Sequence, residues 1–228
     1  MYLFAANLKL PLHERMDPRT IEDRLREEYF GLIPDVRRAA DELEAEVRYL
    51  LIPIFESMET YERLTVKARV KECESAIGAL RRRQETAAFD KARASHYSLR
   101  SLNDLAGVRI LAFPKGLVLR VDALVRVRFS TWTSDPISTA AASAQPLALK
   151  YHGYCQEGAT IRAELQIVPM LIGLFWEVEH AALYKPAANV SGIEKAEEMQ
   201  QRNEEVIGAL EAFEKQFETL ARATIQRT

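Results

Sequence analysis

Cysteine is nearly missing from this chain of 228 residues, and Cys73 and Cys155 stand far apart without forming a CxxC pair. A domain of this length needs no disulfide staple, so a reducing, cytoplasmic setting is expected. Long apolar runs are missing too. No stretch approaches the roughly 18 apolar residues of a membrane span, and "MYLFAANLKLPLHERMDP" lacks the charged and sustained apolar regions of a signal peptide, so neither is expected. Nor does one charge dominate: 31 basic residues face 33 acidic ones, a net charge of −2, which does not advertise a nucleic-acid binder. What remains, 48% hydrophobic and 28% charged residues, is globular composition for one full-sized domain with appended helices.

The charges that balance globally are segregated locally. Arg63, Lys67, Arg69, Lys71, Arg81, Arg82 and Arg83 face only Glu72 and Glu74, whereas residues 194–218 are rich in Glu. The first is a candidate anion site and the second reads as a solvated helix face. Periodicity divides the chain into three. Residues from about 18 to 84 read as helices, one before Pro34, one between Pro34 and Pro53, and a third holding the basic run. From about 106 to 168 the period falls to two, and "GVRILAF", "DALVRVRF", "PLALKY" and "IRAELQI" read as strands. "STWTSDPISTAAASAQ" is too long for a hairpin turn and reads as a functional or mobile loop. "MLIGLFWEVEHAALYKP" and a last helix from about Gly192 to Arg222 follow, with Phe175, Trp176, Val178 and Ala182, then Val206, Ile207, Leu210, Phe213, Phe217 and Leu220, at core spacing. The fold class is therefore α+β, a sheet with helices packed on it.

In "IRAELQI", alternation puts Ile161, Ala163, Leu165 and Ile167 on one face and Arg162, Glu164 and Gln166 on the other. Arg109, Arg126 and Arg128 are expected on similar non-core faces. Such a face is either the wet side of an antiparallel sheet or, where the strands coincide, a surface for phosphate and a divalent cation. A hard cation such as Mg²⁺ wants one or two carboxylates beside water and phosphate oxygens. Asp104, in "SLNDLAGVRIL" just before a strand, is the natural companion of Glu164, although Asn103 and Asp104 equally suit a turn.

Four ordered motifs carry a family resemblance. "ARVKECESAIGALRRR" (68–83), "DLAGVRIL" (104–111), "YHGYCQ" (151–156) and "AELQI" (163–167), followed by "EVEHAALYKP" (177–186), resemble the synthetase domain of the RelA/SpoT family, and in particular its stand-alone small alarmone synthetases. The resemblance implies a nucleotidyltransferase-like α+β fold with a mixed sheet of about five strands. It implies a pyrophosphokinase that moves pyrophosphate from ATP to the 3′-hydroxyl of GDP or GTP, with Mg²⁺. ATP would be bound by Arg69, Lys71, Ser75, Arg82 and Arg109, and the metal by Asp104 and Glu164, with Glu164 acting near the acceptor hydroxyl. The acceptor side would comprise Tyr154, stacking on the base, with Lys150, His152, Gln166 and His180.

The departures fall mostly on that acceptor side. Where the family has Arg-Ser and then His, this chain has Cys155, Gln156, Glu157 and Gly158; Val168-Pro169 replaces Arg-Thr, and Ala79 replaces a Lys. His152, Lys150 and Arg162 are the candidates to compensate. Two alternatives therefore stay open: a toxin-like enzyme that modifies the 3′ end of tRNA through a surface including Arg81, Arg82, Arg83, Lys91, Arg93 and Arg100, and a silent nucleotide-binding module. Hydrolase activity is not expected, since no His-Asp pair with a His cluster precedes the donor segment; His13 and His96 read as surface residues. The expected division is a helical region at 1–59, the synthetase-like domain at 60–190 and a C-terminal helix at 191–228, with the terminal helices available for homo-oligomer contacts.

Overall fold

A computed structural model describes residues 20–85, 97–137, 146–156, 158–179 and 193–225. The first helix, α1 (Ile21–Leu50), starts on a capping box in which the Thr20 hydroxyl accepts from the Asp23 amide at 3.1 Å while the Asp23 carboxylate faces the Thr20 amide. It runs unbroken through Pro34, where two helices were expected. Its inward residues, Leu25, Tyr29, Leu32, Val36, Ala40, Leu43 and Val47, keep helical spacing, and Pro34 lies on the exposed side, where water can serve the carbonyl left without a donor. A short α2 (Ile52–Glu56), with Pro53 in its first turn, turns the chain into the sheet.

The sheet has five strands in the order β1-β2-β5-β4-β3: β1 (Arg63–Val70), β2 (Ala106–Phe113), β3 (Thr133–Ser134), β4 (Leu149–Tyr154) and β5 (Arg162–Pro169). β2 and β5 run parallel and the other pairs antiparallel, so the sheet is mixed, as expected. Two segments exchange the roles assigned to them above. "RLTVKARV", expected to be helical, is β1, and its own alternation of Arg63, Thr65, Lys67 and Arg69 with Leu64, Val66, Ala68 and Val70 is that of a strand. "DALVRVRF", expected to be a strand, lies in α4 (Lys115–Arg128) and the residue after it, because Leu117, Val118, Val121, Asp122 and Val125 bury one helical face. The local Val-Arg alternation spans only the last turn.

One face of the sheet, with Val66, Val108, Ile110, Ala112, Ala163, Leu165 and Ile167, joins α1, α3 (Cys73–Glu85) and α4 in the main core. Each fully buried leucine there contributes about 2 kcal/mol through burial alone. The opposite face is covered at one end only. Leu111, Ala148 and Val168 pack under Ile172, Phe175 and Trp176 of α5 (Met170–Glu179) and Ile207 and Leu210 of α6 (Ile193–Ile225). The rest of that face carries polar side chains.

The apolar stripe expected along α6 is divided. Ile207 is buried and Phe217 sits against Tyr61 and Phe113, with ring centroids 5.9 and 5.1 Å away, but Val206, Phe213 and Leu220 are exposed, as is Val178 of α5. Ala182 lies outside the described residues. The acidic face of α6 likewise has one inward member: Glu214 is buried among α4, α5 and α6, facing the Leu171 and Lys115 amides without a hydrogen bond of good geometry. Burial lifts its carboxyl from 4.5 to about 7. At the free edge of the sheet, Arg48 of α1 donates to the Val66 carbonyl at 2.7 Å. No helix among the described residues is long and apolar enough to cross a membrane.

Candidate active site

Register, more than any single motif, assembles the polar face. Arg69 of β1 stands opposite Gly107 of β2, Gly107 opposite Glu164 of β5, and Glu164 opposite His152 of β4. One row further along, Lys67, Arg109, Gln166 and Lys150 are matched in the same way. Four strands thus put cations on one side, a carboxylate and an amide in the middle, and a lysine and an imidazole on the other side. Gly107 permits this. A Cβ there would lie 2.8 Å from the Glu164 carbonyl oxygen and 3.5 Å from the Arg69 side chain, too close for any residue but glycine.

Gln166 links the two halves. Its carbonyl accepts from Arg109 Nε at 3.0 Å and from Arg69 Nη1 at 3.4 Å, and its amide donates to Glu164 Oε1 at 2.6 Å. Glu177 of α5 approaches Arg109 at 3.6 Å. Burial, then Arg69, pushes the Arg109 guanidinium below its ordinary pKa. Two guanidiniums held this close, around one neutral amide, make a site that gains by taking up an anion.

Glu164 is buried on its polar face, so the wet-side explanation of this strand does not hold. Burial and then Asp104 raise its carboxyl above the ordinary range, against the opposing pull of Lys150, at 4.0 Å, and Arg69. Asp104 lies just before β2 and is ion-paired through Oδ2 with Lys71, while its Oδ1 is buried without a hydrogen-bond partner. Two electrostatically coupled carboxylates, one with an unmet acceptor, fit a hard divalent cation that keeps most of its shell for water and phosphate. Among the described residues no cluster of three or more His, Cys, Asp and Glu offers a full protein cage.

On the β4 side, Tyr154 is exposed and the Arg162 guanidinium lies 5.4 Å from its ring centroid, donating at 2.9 Å to Asn103. Lys150 is held at 3.1 Å by Asp135. His152 is kept below its ordinary pKa by burial and by Arg162. Trp132 closes this side: a Cβ at Gly153 would lie 2.6 Å from its ring, and its indole N–H donates to the Tyr154 carbonyl at 3.2 Å.

The remaining expected residues are distributed around this face. Ser75 is exposed in the first turn of α3 and Arg82 extends over Gly78 of the same helix. His180, Lys91, Arg93, His13, His96 and the segment from 138 to 145 lie outside the described residues. Arg126 and Arg128 do not join the face; they pair with Asp122 and Glu46 on the far side of the sheet. Arg81 pairs with Glu22, and Arg83 donates to the Ser101 carbonyl at 3.0 Å. Glu177, Asp135 and Trp132 were not anticipated as site residues, and Lys67 was anticipated only as part of the basic run. Lys67 was legible, because it holds the middle of the Arg63–Arg69 alternation; the other three depend on tertiary contacts.

No protein-family model and no curated protein sequence matches the chain. Solved structures do. The small alarmone synthetase 1 of Bacillus subtilis bound to its product pppGpp superposes with a TM-score of 0.64 at 16% identity, covering 86% of this chain and 98% of that one. The same enzyme bound to AMPCPP gives 0.58 at 18% identity, covering 89% and 100%. A GTP pyrophosphokinase family protein of Streptococcus pneumoniae gives 0.61 at 19% identity, covering 88% and 95%. The resemblance seen in the sequence motifs and the likeness in three dimensions thus coincide, and the chain has the fold of the small alarmone synthetases.

Proposed function

We propose that the chain is a pyrophosphokinase that transfers the β,γ-pyrophosphoryl group of ATP to the 3′-hydroxyl of GDP or GTP and releases AMP. The observation that carries it is the sheet face itself. Arg69 and Arg109 converge on Gln166, which also holds Glu164, in a fold whose solved examples include one bound to AMPCPP and one bound to pppGpp.

Arg69, Lys71, Ser75, Arg82 and Arg109 bind the donor phosphates; Lys67, in line with Arg109, adds a further positive charge. Tyr154 stacks on the acceptor base, with His152 beside Glu164 in the next row and Lys150 and Gln166 in the row beyond it completing the acceptor side. In the transfer, the acceptor 3′-oxygen bonds to the β-phosphorus, the bond from that phosphorus to the oxygen bridging to the α-phosphorus breaks, and AMP leaves with that oxygen. Glu164, buried on the face beside the acceptor residues, takes the hydroxyl proton. Mg²⁺, held by Asp104 and Glu164, would supply neutralisation of phosphate charge. The protein contributes alignment and fixed positive charge. His180 is assigned to the acceptor side by the motif resemblance.

The test is incubation of the purified chain with γ-labelled ATP, Mg²⁺ and guanine nucleotides. Label in a 3′-pyrophosphorylated nucleotide, with one AMP per product, supports the proposal. Label only in inorganic phosphate, or in none of the acceptors, counts against it.

A further inference from the structure

The two halves of the sheet face differ in how their charges are committed. On the donor half, Lys67 is exposed with no ion-pair or hydrogen-bond partner among the described residues, Arg69 and Arg109 share a neutral amide, and Arg109 and Lys71 face Glu177 and Asp104. On the acceptor half both cations have neighbours, although the buried Arg162 Nε has no hydrogen-bond partner. Lys150 lies between Asp135 and Glu164, and Arg162 is held by Asn103 and the Tyr154 ring.

Beside them is a cleft of about 610 Å³ whose walls include Trp132, Thr133, His152, Tyr154, Gln156 and Arg162. Its size is that of a small-ligand site, and two aromatic rings with hydroxyl and amide groups suit a nucleoside. Among the described residues, Arg162 is its only guanidinium or ammonium group. The cleft continues into a second hollow of about 280 Å³, sharing with it Cys155, Gln156, Gly158 and Ala159. That hollow is walled by α1. Its Asp35 and Arg38 pair with each other, which leaves the exposed Glu42, bonded among the described residues only to the neutral Gln156 amide at 3.2 Å, as the uncompensated charge there. The Cys155 thiol reports the same field: burial, then Glu46 and Glu42, pushes it to about 11.

Resting on the pyrophosphate-transfer reading, we infer that this cleft selects acceptors by charge, preferring a nucleotide with a short phosphate tail, a nucleoside monophosphate before a diphosphate and a diphosphate before a triphosphate. Each added phosphate finds no new cation in the cleft among the described residues, and one that reaches the second hollow meets Glu42. A unit charge several ångströms from a solvated carboxylate disfavours binding by about two- to threefold, so the full series spans roughly tenfold. A polyanionic acceptor such as tRNA is disfavoured for the same reason.

Calorimetric titration of the full chain with guanosine 5′-mono-, di- and triphosphate reads this without turnover. Affinity that falls along the series is expected; a flat or rising series overturns the inference. Transfer assays with the same nucleotides and with tRNA should give kcat/KM in the same order, and preferential labelling of tRNA would also overturn it. Glu42→Lys, on the solvent side of α1, should raise the triphosphate-to-monophosphate affinity ratio by at least about fivefold while leaving the KM for ATP unchanged. An unchanged ratio removes Glu42 as the cause and overturns the proposal. A falling affinity series with no transfer to any acceptor would sink the pyrophosphokinase reading alone.

Discussion

Glu164 and Gly107 stand opposite each other on neighbouring strands, and their substitutions should fail in different ways. Glu164→Gln keeps the hydrogen bond with Gln166 within reach but removes the proton acceptor and one metal ligand, so kcat should fall by about 10²–10⁴ with little change in thermal midpoint. Activity within tenfold of the parent would remove Glu164 from the chemistry. Gly107→Ala should instead cost stability, because its methyl group meets backbone, not a flexible side-chain end, at the Glu164 carbonyl. About 1–3 kcal/mol is expected from chemical denaturation, together with lost activity as β2 and β5 separate. Asp104→Asn tests the metal: its buried, unpartnered oxygen is where a cation would gain most, so the Mg²⁺ concentration for half-maximal activity should rise at least tenfold.

Among the elements, α6 carries the clearest pH-dependent contribution to stability. The Glu214 carboxyl titrates near 7 when folded and near 4.5 otherwise, so the folded chain holds this proton more tightly. Its contribution is complete below about 4.5 and is lost as pH rises through about 7, a difference of roughly 3 kcal/mol, set by burial against the weaker pull of the Leu171 and Lys115 amides and the Lys115 ammonium. Urea midpoints at pH 5.5 and 8 should therefore differ more for the parent than for Glu214→Gln; equal differences would show that the site does not titrate there. Composition did not reveal this residue, since in sequence it is one glutamate among many on a polar helix. The β5 alternation around Glu164 was legible because period two survives any packing, and so was the place of Asp104 just before a strand. β1 and α4 were exchanged for a common reason: each mixes Val, Leu and Arg, and short windows of such residues satisfy both periods. Only the full "KGLVLRVDALVRVR" shows the helical face that buries Val121 and Val125. The pairing of Arg109 with Glu177, and of Lys150 with Asp135, was illegible in principle, because it depends on where α5 and the β3 strand come to rest.

At the scale of the molecule, charge is arranged across the sheet and not in sum, and a net charge of −2 conceals the basic donor half. ATP with Mg²⁺ should stabilise the whole fold by linkage, about 2.7 kcal/mol at a hundredfold excess over Kd, seen as a rise in thermal midpoint. ATP alone should give a smaller rise, and Asp104→Asn should remove the difference between the two. β1, at the end of the strand order, faces another requirement altogether. An outermost strand presents unpaired backbone groups on which a second chain can add itself. Here Arg48 occupies the Val66 carbonyl, and Arg63 and Lys67 stand exposed along the strand. Lys67, proposed above to add positive charge for the donor phosphates, and Arg63 also make this border inhospitable to self-association, so neutralising both should lower solubility and the Lys67 change alone should weaken ATP binding.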